Sequence, residues 1–232
     1  MGSATAVNNA ACCSHGSVTL ESTMIEVSSC EASSVNPVST RVRRPEGRMG
    51  GMAMIAERRR LNPIVRLGIA VSEKVTGHRM EPARLLAWYP RAALGSGVLE
   101  LLVAHHEPSK RLLKLVRVTA SLTSSCPFCV DMNSFKAEAA GVASAELRAL
   151  QRGEENELAT VTPRERAAIA YARAISSTPL VFDDGLRADL SRLFTEREIV
   201  IIATTAAQVN YWARTIQALG IEPAGFCELP DA

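Results

Sequence analysis

TEREIVIIATTAAQVNYWARTIQALG, residues 195–220, decides the fold class. Thr195 followed three residues later by Glu198 is a helix-start signature. The hydroxyl accepts from the third helical N–H, and the carboxylate reaches back to the cap. Ile199, Ile202, Ala203, Ala206, Val209, Ala213 and Ile216 then recur at helical spacing. Gly220 ends the run, as expected where a chain leaves a helix through a left-handed residue. A stripe sustained this long predicts a helix packed along one side by its neighbours. Its most apolar part, 199–207, is broken by Thr204 and Thr205 and falls well short of the ~20 apolar residues of a bilayer span. Asn210 lies on the apolar face and requires polar partners, for which Arg214, one turn later, is the nearest candidate.

Upstream, Thr162-Pro163-Arg164-Glu165 repeats the capping signature, and Ala168, Tyr171, Ala172 and Ile175 follow on one face. A strongly apolar helix is expected from Ser109 to Leu122, and the segment after Cys126 is read as helical as far as Gly141. Asn62-Pro63 opens a further helix that Gly77 closes. Pro82 opens another, expected to be interrupted by Pro90 and Gly95-Ser96-Gly97. No alternating strand pattern of useful length occurs, so the chain reads as an all-α helical bundle.

Residues 1–55 differ in character. They are rich in Ser, Thr, Val, Ala and Asn, and no Phe, Trp or Tyr precedes Trp88. Such a segment buries too little apolar area to offset its ordering entropy, so a disordered tail is expected ahead of a helical domain at 56–232. Cys12, Cys13 and Cys30 fall in that tail at spacings that match no zinc pattern. The net charge of +2 gives no electrostatic case for nucleic acid or for a membrane surface. No Lys or Arg precedes Arg41, which argues against secretory and mitochondrial leaders. Six cysteines in 232 residues are too few for a disulfide scaffold, so a reducing, cytoplasmic setting is expected.

The chemistry concentrates at Cys126-Pro127-Phe128-Cys129. Ser124 and Ser125 precede the pair as candidate caps, and Pro127 suits a first helical turn. Cysteines three apart on a helix are neighbours, and unpaired amides at a helix start stabilise a thiolate. One sulfur can attack an oxidant or a disulfide, and the other can resolve the product. A zinc site would need two further ligands, and only the adjacent, upstream His105 and His106 are near in sequence. Two inert buried cysteines remain the plain structural alternative. No Gly-rich phosphate or dinucleotide motif occurs, so neither cofactor nor metal is expected. Cys227, in the tail after Gly225-Phe226, is a distant further thiol.

Leu112-Leu113-Lys114-Leu115-Val116-Arg117-Val118 and Ser124 through Asn133 together resemble the carboxymuconolactone decarboxylase / alkylhydroperoxidase D-like family. Thr162–Ala168, Phe194–Val200 and Asn210–Arg214 resemble its later helix starts and final helix, in the family's order. The resemblance spans roughly residues 60 to 230. It implies an all-helical subunit in a homo-oligomer, a trimer or hexamer, with the cysteine pair near a subunit interface. The Cys-x-x-Cys branch reduces peroxides or shuttles disulfide electrons from a donor protein or thiol. In that branch Cys129 would attack and Cys126 resolve. The peroxidase members carry a Glu twelve residues before the first cysteine and a His four residues after the second. Those positions here hold Lys114 and Asn133, which cannot rebuild a Glu–His proton relay. Lys114 would lower a thiol pKa if aimed at the sulfurs, and Asn133 could orient water or donate to a thiolate. A decarboxylase or lyase with structural cysteines and a non-catalytic redox-sensitive oligomer are the alternatives on the same fold.

Overall fold

The computed structural model describes residues 53–154 and 158–226. The tail reading, save residues 53–55, and Cys12, Cys13, Cys30 and Cys227 lie outside those residues. All regular structure among the described residues is helical. The elements are α1 (Pro63–Thr76), α2 (Glu81–Leu86), α3 (Pro90–Leu102), α4 (Lys110–Thr123), α5 (Pro127–Ser134) and a 3₁₀ turn at Glu138–Ala140. These are followed by α6 (Ser144–Arg152), α7 (Pro163–Ser176), α8 (Asp184–Leu193) and α9 (Glu196–Leu219).

The local start and stop signals are obeyed. Thr162 Oγ1 accepts the Glu165 N–H while the Glu165 carboxylate accepts the Thr162 N–H at 2.9 Å, and Thr195 and Glu198 do the same for α9. Asn62 caps α1 through its side-chain oxygen, and Gly77 and Gly220 end α1 and α9 in the left-handed region. Ser109 caps α4 by accepting the Leu112 N–H at 3.0 Å.

Two expected boundaries move. Pro90 begins α3, and Gly95-Ser96-Gly97 lie inside that helix instead of interrupting it. Glycines in a helix interior cost about 1 kcal/mol each, and tertiary contact offsets that. Ser96 is buried, and its hydroxyl pairs with the Tyr211 hydroxyl on α9 at 2.7 Å. The helix after Cys126 does not reach Gly141. It stops at Ser134, and Lys136 adopts φ 53° before the 3₁₀ turn that Gly141 caps. Lys114 supplies the reason, as the site geometry shows below.

α4 is the axis of the bundle and is apolar on nearly every side. Leu112, Val116 and Ala120 pack against Ala168 and Ala172 of α7 and Ile202, Ala206 and Val209 of α9. Leu115 and Val118 face the other way, toward Val142, Leu147, Leu150 and Ile169. A three-way ion pair fixes the N-terminal end of this axis. Arg111 donates to both oxygens of Glu146 at 2.8 Å and to Glu165 at 2.7 Å, joining α4, α6 and α7. The C-terminal end of α4 delivers the cysteine pair into a separate apolar cluster.

Candidate thiol site

α4 ends by reversing sharply. Ser125 N–H bonds to the Leu122 carbonyl at 3.0 Å and Cys126 N–H to the Ser121 carbonyl at 3.2 Å. This bond pair defines a Schellman turn, with Ser125 at φ 49° in the position usually given to glycine. Cys126 thus closes α4 and is also the N-cap of α5, on extended backbone at φ −108° and ψ 99°. Pro127 occupies the first position of α5, where its missing N–H costs nothing.

From that cap the Cys126 sulfur accepts the Cys129 N–H at 3.3 Å. The Cys129 side chain lies one turn on, in the same helix. The neighbouring Cys129 thiol, with the amides of Cys129 and Phe128, holds the Cys126 thiol below the usual range against an opposing effect of burial. The neighbouring Cys126 sulfur, with burial, pushes the Cys129 thiol upward. Placement at the helix cap, with an N–H on its sulfur, favours the thiolate at Cys126, whereas the family resemblance implies Cys129 as the attacking thiol. Both are free thiols, and their residues are 0% and 2% exposed.

Around the pair runs a layer of neutral polar groups. Ser124 Oγ lies 2.6 Å from the Ala120 carbonyl and 2.8 Å from Asn210 Oδ1. Asn210 donates onward to Ser176 Oγ and the Ala206 carbonyl, both at 3.0 Å. Its partners are thus Ser124, Ser176 and its own helix, instead of Arg214. Gln217 donates to the Ser124 carbonyl at 3.0 Å, so α9 grips the α4–α5 turn twice.

The two positions that depart from the peroxidase pattern prove to be joined to each other. Lys114 donates to the carbonyls of Asn133 and Phe135 at 2.9 and 2.8 Å. It therefore serves the C-terminal end of α5, where a cation is favourable, while the cysteines occupy the opposite end. The condition under which Lys114 would lower a thiol pKa, an ammonium aimed at the sulfurs, is thus not what these bonds show. Asn133 is buried and donates through Nδ2 to Ser121 Oγ at 2.9 Å, which ties α5 back to α4.

His105 and His106 do not join the site. His105 Nε2 meets Thr204 Oγ1 at 3.1 Å, nine residues or roughly 14 Å along α9 from Ala213, which packs at the pair. Burial, then the charges of Arg117, Arg197 and His106, lower its pKa. The histidine that does approach is His78, from the α1–α2 loop. It stacks on Phe226 with centroids 4.2 Å apart, and Phe226 in turn meets Phe128 edge-on at 6.2 Å. No local signal marks His78 or Phe226, because their partners lie far away in sequence. Asp131 accepts the N–H groups of Ala224 and Gly225 at 3.0 and 2.9 Å. Among the described residues, no three His, Cys, Asp or Glu side chains are grouped to hold a metal ion. No helix among them is long and apolar enough to cross a membrane.

No family model matches the chain. It is 26% identical over 179 residues to the uncharacterized protein YnjA of Escherichia coli (strain K12), covering 74% of this chain and 97% of that one. Among solved structures it is similar to the debrominase Bmp8 in complex with 2,3,4-tribromopyrrole. The TM-score is 0.64 at 20% identity, covering 75% of this chain and 95% of the other. It is also similar to the alkylhydroperoxidase AhpD core of an uncharacterized peroxidase-related protein from Ralstonia eutropha JMP134. There the TM-score is 0.61 at 17% identity, covering 70% and 86%. At these identities the likeness is one of architecture: the chain has the alkylhydroperoxidase D-like fold.

Proposed function

We propose that this chain is a dithiol oxidoreductase that reduces a peroxide or a disulfide through Cys126 and Cys129. The observation that carries the reading is the placement of Cys126 at the cap of α5, its sulfur receiving the Cys129 N–H, which favours the thiolate. The Cys126 thiolate attacks the peroxide O–O bond, giving a sulfenic acid and, after protonation, an alcohol. The Cys129 thiol then attacks that sulfur, forming the Cys126–Cys129 disulfide and releasing water. A thiol or dithiol donor returns two electrons and two protons to the pair. With no Glu–His relay, protons reach the leaving oxygen through water or the neighbouring thiol.

The test is a thiol titration before and after one equivalent of organic hydroperoxide, with a sulfenate trap and serine variants. Loss of two thiols per chain with matching peroxide consumption is the expected result. Sulfenate should be trapped in Cys129→Ser and not in Cys126→Ser; the opposite pattern restores Cys129 as the attacking thiol. Thiols that oxidise no faster than glutathione sink the peroxidase reading. Because the fold is shared with a debrominase, a brominated pyrrole belongs in the same assay. Bromide release with oxidation of the pair would assign a halide substrate in place of peroxide. Turnover that survives replacement of both cysteines would instead favour a lyase.

The working form is a homo-oligomer. Ile64, Leu67, Val71 and Val75 make one exposed stripe on α1, from 54% to 75% exposed, and Leu94, Val98 and Leu101 lie exposed on α3. Light scattering on the reduced protein checks this, and a monomer at micromolar concentration overturns it.

A further inference from the structure

The cysteine pair is buried, yet part of what buries it is not helix. α9 ends at Gly220, and Ile221 turns back by bonding its N–H to the Ile216 carbonyl at 3.1 Å. Residues 221–226 then cross the same apolar cluster that holds Cys126, Phe128 and Cys129. Ile221 and Phe226 are their buried anchors, at 7% and 6% exposure. Phe226 sits against Phe128, the residue between the cysteines, and against Phe135 and His78. Beyond the Ile221 turn, the polar attachment among the described residues is one carboxylate oxygen, Asp131 Oδ2, which receives the adjacent N–H groups of Ala224 and Gly225. Gly225 reaches that position at φ 73°, a conformation that disfavours other residues.

We propose that residues 221–226 form a strap over the thiol pair, latched by Asp131, whose local opening admits the oxidant and the electron donor. A segment without helical hydrogen bonds, held by two apolar anchors and one carboxylate, opens at lower free energy than the bundle unfolds. The surrounding helices offer no comparable route, since α4 and α9 are locked through Ser124, Asn210 and Gln217. Asp131 also lies two residues beyond Cys129 on the same helix. A shift of the first turn of α5 as a disulfide forms is thus transmitted directly to the latch. The strap gives the pair a substrate filter: what reacts is what enters during an opening. The role of the entering molecule rests on the dithiol reading above, whereas the strap itself does not.

The test is alkylation of the reduced full-length chain by iodoacetamide at neutral pH, with Cys126 and Cys129 followed separately by mass spectrometry. Asp131→Ala, which removes the latch, and Phe226→Ala, which removes an anchor, should each speed labelling of the pair by about tenfold or more, as expected for a local opening. Asp131→Asn, which keeps one oxygen acceptor, should fall between Asp131→Ala and the unaltered chain. Ile169→Val, in the core on the other face of α4, serves as the control for general destabilisation. If Asp131→Ala and Phe226→Ala label at the unaltered rate, or exceed it no more than the control does at equal loss of stability, the strap is disproved. Strap-dependent alkylation in a protein inert to hydroperoxide would remove the proposed reaction and leave the strap standing.

Discussion

At the scale of single residues, the ordering of the two thiols is the most consequential feature. Cys126 and Cys129 share one helical turn and one apolar cluster, so burial alone would raise both. What separates them is placement: Cys126 caps α5 and its sulfur accepts the Cys129 N–H, whereas Cys129 lies one turn on within the helix. Cys129→Ala removes the neighbouring thiol and leaves the backbone amides, so the Cys126 pKa should rise part of the way toward the ~8.5 of a free thiol. The pH midpoint of Cys126 alkylation, checked by thiolate absorbance, reads this shift. A midpoint unmoved by the substitution would mean that the backbone amides alone set the thiolate.

At the scale of elements, the α4–α5–α9 unit explains why two departures from a catalytic pattern are tolerated by the fold. Lys114 caps α5 from below by holding the Asn133 and Phe135 carbonyls, and Asn133 pins α5 to Ser121. Lys114→Met should lower stability by about 1.5–3 kcal/mol, the usual worth of hydrogen bonds to a charged group. It should also speed amide exchange at the C-terminal end of α5. Urea unfolding and exchange mass spectrometry measure the two effects. The turn at Ser125 gives a change of opposite sign. A non-glycine residue in the left-handed region costs about 1–2 kcal/mol, and glycine's greater freedom when unfolded takes back about half. Ser125→Gly should therefore stabilise the chain by roughly 0.5–1 kcal/mol in urea unfolding. Ser125 is exposed, so little packing is lost.

At the scale of the whole molecule, the bundle hangs on a buried axis braced by Arg111, Glu146 and Glu165. The Arg111 guanidinium, with the Ala143 amide and the Thr160 hydroxyl, holds the Glu146 carboxyl down to about 2. Unfolded, the same carboxyl titrates near 4.3, so over that interval the folded state binds fewer protons. The contribution of this group is complete above the unfolded value and is lost as pH falls toward 2. Stability measured from pH 6 downward should show that acid limb, and Glu146→Gln should flatten it while lowering stability at neutral pH. An unchanged acid limb in Glu146→Gln would place the acid sensitivity elsewhere.

The sequence by itself determined the helical class and most helix ends, and it marked the cysteine pair as the candidate site. Thr195 with Glu198, Thr162 with Glu165, Asn62-Pro63, Gly77 and Gly220 act on groups within a turn of themselves, and short-range chemistry is written in short-range order. Gly95-Ser96-Gly97 misled because a helix-breaking local preference was overridden by the Ser96–Tyr211 contact, 115 positions apart. The short α5 could not be foreseen either, because its end is fixed by Lys114 from another helix. Only the tertiary structure decided what surrounds the thiols. Asp131 meets Ala224 across 93 positions, and Ser124 meets Asn210 across 86. Such pairings depend on how the bundle packs around α4 and leave no periodic or spacing signal along the chain.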